Sequence, residues 1–98
     1  MTCTREELID FLATNKSYFA KDFSVRKIGL FGSYARNEAD EESDIDIVVE
    51  LNKADMFYLI GIKQMLEDKF GRRVDVVRIR ERMNVNLRRR IEKDAIYV

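Results

Sequence analysis

Three short apolar runs rich in β-branched residues limit this chain's fold more than any other feature. They are VRKIGLF at 25–31, IDIVVEL at 45–51 and RVDVVRI at 73–79. Each is the length of a strand and each is bounded by turn residues. Between and around them the pattern changes to helical spacing. Thr4-Arg5-Glu6-Glu7 has the form of a capping box. Leu8, Phe11, Leu12, Asn15, Tyr18, Phe19 and Phe23 follow at helical intervals. This predicts a first helix over 5–21. Ser33 to Asn37 reads as a short helix straight after the first strand. A long helix is expected over 56–70, with Met56, Leu59, Ile60, Met65, Leu66 and Phe70 on its apolar side and Gly71 as its stop. Asn84 or Asn86 caps a last helix running to about Asp94, and a short strand closes the chain at 95–98. The order α-β-α-β-α-β-α, with a closing β, implies an α+β fold: a small mixed sheet with its helices packed mainly on one face.

At 98 residues this is one domain, 1–98. An acceptor-binding second domain is not expected, so a large substrate needs a partner to hold it. The net charge is zero but unevenly placed. Residues 1–71 carry 9 basic and 14 acidic side chains, a balance of −5; residues 72–98 carry 9 and 4, a balance of +5. Sequence-specific nucleic-acid binding is not expected of a chain with no net basic excess, although the basic tail suits phosphates or an acidic partner. There is no histidine, which removes histidine-based triads and zinc sites. Carboxylates remain as ligands, and they favour Mg²⁺, Mn²⁺ or Ca²⁺. The single cysteine, Cys3, excludes an intrachain disulfide and suits a reducing compartment. No run approaches the ~18 apolar residues of a membrane span, and no signal peptide is visible.

Chemistry gathers at three places. Gly32-Ser33 lies between a strand and a helix, where glycine allows a tight turn and helical N–H groups suit phosphate. On its own this pair is more often an ordinary turn and cap. Asp44 and Asp46 stand two residues apart, so a strand puts both on one face, about 6.5–7 Å apart along the backbone. Like charges so placed repel unless a cation lies between them; the plain alternative is a solvated strand edge. Asp75 interrupts the apolar run Val74-Asp75-Val76-Val77. It joins the other two only if the strands pair in the right register; otherwise it is the polar side of an alternating strand. Together, a phosphate-holding turn and carboxylates on two successive strands have the form of a two-metal phosphoryl-transfer site.

These segments resemble a known family. Gly32-Ser33-Tyr34-Ala35-Arg36-Asn37-Glu38-Ala39, Ser43-Asp44-Ile45-Asp46-Ile47 and Val74-Asp75-Val76-Val77 are similar to the motifs G-S-x-A-R-G-E-A, S-D-I-D-L and V-D-L-V of the minimal nucleotidyltransferases in the DNA polymerase beta superfamily. The resemblance implies the nucleotidyltransferase fold. It implies that Gly32 and Ser33 bind the nucleotide phosphates and that Asp44, Asp46 and Asp75 are catalytic. The first two aspartates would hold two Mg²⁺ ions (or Mn²⁺), with Asp75 on the catalytic one. Many members are antitoxins of HEPN–MNT pairs. The implied activity is therefore AMP transfer from ATP to a tyrosine of a HEPN-family toxin, in a bacterial or archaeal cytoplasm and in complex with the toxin. A non-catalytic antitoxin acting by stoichiometric binding, and a small-molecule nucleotidyltransferase, are the alternatives.

The family's glycine after Ala-Arg is Asn37 here, which tolerates the same left-handed backbone. Arg36 is expected to salt-bridge the acidic loop, Tyr34 to pack, and Arg88-Arg89-Arg90 to form a solvated face. The run Met56 to Ile60 is wider than one buried helix face needs, leaving an exposed remnant for a partner.

Overall fold

The first helix starts where its capping residue dictates. In the computed structural model, which describes residues 3–98, the Thr4 hydroxyl accepts the Glu7 N–H at 3.1 Å. Helix α1 then spans Arg5–Thr14. The single helix expected over 5–21 is in fact two, because Asn15 breaks it and α2 spans Lys16–Phe23. The Asn15 side chain donates to the Phe11 carbonyl at 2.9 Å. Such side chains compete with the backbone for helix carbonyls. The apolar spacing survives the break, so Leu8, Leu12 and Phe19 all reach one core.

The remaining elements are β1 (Val25–Phe31), α3 (Gly32–Ala35), β2 (Ile45–Leu51), α4 (Met56–Phe70), β3 (Val74–Arg78), α5 (Val85–Asp94) and β4 (Ile96–Tyr97). Asp55 caps α4, Asn84 caps α5, and Gly71 ends α4 at φ 64°. The sheet order is β3-β2-β1-β4. β1 runs antiparallel to β2 and to β4, whereas β2 and β3 are parallel. A parallel pair requires a crossover, and α4 supplies it.

Alternation along the strands sorts the two faces. Ile45, Ile47 and Val49 bury with Leu8, Leu12, Phe19, Ile62 and Leu66, so α1, α2 and α4 cover one face. On the other, Phe31 and Val48 pack with Ile91 of α5. Helices therefore lie mainly on one face, and α5 covers part of the second. The uncovered part carries Asp46. One detail of α4 differs from the helical-spacing expectation: its core contact runs through Ile62 and Leu66, while Met56 and Ile60 project into solvent with Phe57. No helix among the described residues is long and apolar enough to cross a membrane.

Candidate active site

The site begins where β1 stops. Phe31 pairs with Asp46 of β2, so the next residue, Gly32, emerges beside the Asp46 carboxylate. Gly32 has φ 75°. A Cβ there would lie 3.0 Å from Asp46 Cγ and press directly on its Oδ2. Both the backbone conformation and the close approach require glycine. Ser33 follows, half-buried, in the short helix α3, and Tyr34 packs into the core as expected.

β3 brings Asp75 to the same place. In the parallel register Asp46 stands opposite Asp75, flanked by Ile45 opposite Val74 and Ile47 opposite Val76. A slip of one residue would turn Val74 and Val76 away from the core, so the apolar pattern holds the two carboxylates on one face. Asp44 stands immediately before β2 (Ile45–Leu51), and its charge also acts on Asp46. It lines an adjoining depression with Ser43, Arg72 and Arg73. The loop there is ordered: Asp40 accepts from the Glu42 N–H at 2.9 Å and from the Ser43 hydroxyl at 3.1 Å. Arg72 donates to the Glu41 carbonyl at 2.6 Å.

Electrostatics link the three aspartates. Burial pushes the Asp46 carboxyl above its ordinary pKa; the facing Asp75 adds to this, Arg90 opposes it, Asp44 adds and Arg36 opposes. Asp46 is thus a half-buried carboxylate crowded by like charges, in space that a glycine keeps clear. Hard oxygen donors under mutual repulsion fit Mg²⁺ or Mn²⁺. Among the described residues no three such groups already form a closed ligand cluster. Asp46 and Asp75 make the facing pair, and Asp44 approaches from the loop side.

Arg36 does more than was expected of it. Its Nε donates to Glu38 at 3.1 Å, and its Nη1 donates to Asp94 of α5 at 2.6 Å. It therefore ties both the loop and the last helix to α3. Asn37 adopts φ 61°, the left-handed conformation anticipated for it. A cleft of about 410 Å³ opens beside Asp46 and Asp75, and Lys63 and Arg90 also line it. Sequence reasoning placed Arg90 on a solvated face. Its signal was the four-residue spacing to Asp94, which puts both on the side of α5 turned toward the site. Lys63 had no comparable signal.

The comparisons agree with this geometry. Residues 10–98 match the model of the nucleotidyltransferase domain. The protein adenylyltransferase MntA of Thermococcus cleftensis is 34% identical over 96 residues, covering 97% of this chain and 96% of that protein. A solved structure assigned as a minimal nucleotidyltransferase superimposes with a TM-score of 0.77 at 29% identity, covering 96% of this chain and 95% of that one. A chain from the complex of tri-AMPylated Shewanella oneidensis HEPN toxin with MNT antitoxin has a TM-score of 0.63 at 22% identity, covering 90% and 69%; this shows a shared fold. Sequence match, fold and the glycine–aspartate arrangement coincide over nearly the full length, and the chain belongs to the nucleotidyltransferase domain family, among the minimal protein adenylyltransferases.

Proposed function

We propose that this chain is an antitoxin that transfers AMP from Mg-ATP to a tyrosine hydroxyl of a HEPN-type toxin, in the cytoplasm of a bacterium or archaeon. The observation that carries the reading is Asp46 facing Asp75 in register, with Gly32 against the Asp46 carboxylate. The acceptor oxygen bonds to the α-phosphorus of ATP, the bond from that phosphorus to the β-phosphate oxygen breaks, and pyrophosphate leaves. Gly32 and Ser33 hold the nucleotide phosphates. Asp44, Asp46 and Asp75 hold divalent ions, which when bound neutralise the triphosphate and lower the pKa of the acceptor hydroxyl. Asp75 is the most open of the three and takes the acceptor side, where its carboxylate receives the hydroxyl proton. Arg36 is a positioning residue, since it holds α5 against the turn that carries Gly32 and Ser33.

The test co-expresses the chain with the neighbouring HEPN-type protein, supplies Mg-ATP and measures the partner's intact mass. Addition of AMP units is expected, and each of Asp44→Ala and Asp46→Ala should abolish it while remaining folded. Neutralised toxin with no added mass would replace this reading with stoichiometric binding.

A further inference from the structure

β3 is an edge strand. Its backbone polar groups divide by residue parity. The Ile45 N–H donates to the Arg73 carbonyl at 2.9 Å, and the Ile79 N–H donates to the Val49 carbonyl at 2.8 Å. With Ile45 opposite Val74 and Val49 opposite Arg78, residues 73, 75, 77 and 79 turn their N–H and C=O groups toward β2. Residues 74, 76 and 78 turn theirs outward. Glu67 of α4 accepts the outward Val74 N–H at 3.0 Å. Among the described residues no side chain does the same for Val76.

The cleft beside the aspartates lies along this edge. Leu59, Ile60 and Lys63 of α4 line one side, and Leu87 and Arg90 of α5 the other, with residues 75–77 between them. The two helices cover opposite faces of the sheet, so a single cleft touching both must pass around the rim of β3. Near it Met56 is 74% exposed and Phe57 79%. An open strand edge beside exposed apolar side chains is a liability unless a partner covers it.

We propose that this groove receives an extended segment of the acceptor polypeptide. The segment adds as a strand along the outer edge of β3, pairs with the Val76 backbone, and so delivers its hydroxyl to Asp75. The inference rests on the reading of the chain as a protein adenylyltransferase and states how the protein is held. Charge favours such an occupant. Arg90 already offsets the Asp46 carboxylate, whereas Lys63 is exposed and forms no ion pair among the described residues, so the segment carries an acidic side chain on the Lys63 side of its hydroxyl. Apolar neighbours of the hydroxyl meet Leu59, Ile60 and Leu87. In strand addition the main chain supplies affinity and alternate side chains supply specificity.

Hydrogen exchange of the labelled chain, alone and with the co-expressed HEPN-type protein, tests the proposal alongside the AMP mass assay. The Val76 and Arg78 amides should slow at least about tenfold in the complex. Val76→Pro removes an outward N–H and leaves the inward-facing groups of Asp75 and Val77 intact, the placement an edge strand tolerates. It should raise KM for the acceptor about tenfold, the worth of one or two backbone hydrogen bonds, with binding of a non-hydrolysable ATP analogue unchanged. Should Val76→Pro misfold, Ile60→Asp carries the same expectation without touching the ladder. AMP transfer with no protection at Val76 overturns the docking edge and leaves the transferase reading standing. Protection with no AMP transfer supports the groove and refutes that reading. Concentration-dependent protection of Val76 in the free chain assigns the edge to a second copy and also overturns the proposal.

Discussion

Alanine at Gly32 separates a backbone effect from a site effect, because Gly71 provides a matched control. The two glycines have nearly the same backbone, φ 75° and φ 64°. An added Cβ at Gly71 meets nothing within 4 Å, whereas at Gly32 it meets the Asp46 carboxylate. Left-handed backbone costs a non-glycine residue about 1–2 kcal/mol. Each variant should therefore lose about that much stability, near 4–8 °C in Tm per kcal/mol for a domain of this size. Only Gly32→Ala also forces the Asp46 carboxylate aside or displaces the turn that follows β1. A displacement near 1 Å costs on the order of 100-fold in rate. Gly32→Ala should thus lose AMP transfer by about that factor at a temperature where both variants are folded, and Gly71→Ala should retain wild-type activity. Thermal melts and initial rates of AMP incorporation decide the matter. A Gly32→Ala enzyme with near wild-type activity, or a Gly71→Ala enzyme equally impaired, would refute the argument that the missing Cβ makes room for the carboxylate.

Three other outcomes are expected. Asp46 binds its proton more tightly in the folded chain than in the unfolded one, because burial and the neighbouring Asp75 and Asp44 raise its pKa. Without metal, its stabilising contribution is complete below the ordinary aspartate pKa and is lost as pH rises through the higher folded value; denaturant titrations in EDTA should show Asp46→Asn losing less stability than wild type across that rise. Arg36→Ala leaves the Asp94 carboxylate, whose side chain is 6% exposed, without its guanidinium, and should lower the urea midpoint of unfolding. Thr4→Ala removes the acceptor of the Glu7 N–H and should cost about 1 kcal/mol with no change in transfer rate, since α1 lies on the face opposite Asp46 and Asp75.

Much of the site was readable from residue types. Gly32, Asp46 and Asp75 stood out because each breaks a local rule, a glycine after a strand or a charge inside an apolar run, and only their combination points to a site. Strand alternation places Asp44 beside Asp46 on the strength of local spacing, and Asp44 stands immediately before the first residue of β2. The division of the first helix at Asn15 was missed. Apolar spacing reports which side chains are buried, and it continues unchanged through a local backbone break.

What the sequence determined alone was the strands, the helices apart from the break at Asn15, the caps at Thr4 and Gly71 and the chemistry available to a chain with paired aspartates and no histidine. These depend on interactions within a few residues: a hydroxyl on a nearby N–H, a glycine at positive φ, a side-chain period. The facing of Asp46 and Asp75, the approach of Gly32 to a carboxylate, the entry of Lys63 and Arg90 into the cleft and the open edge of β3 were decided only in the tertiary structure. Each depends on strand order and register, and these are settled by burying Ile45, Ile47, Val74 and Val76 on one face. Distant segments satisfy that condition together, and no single stretch of the chain encodes it.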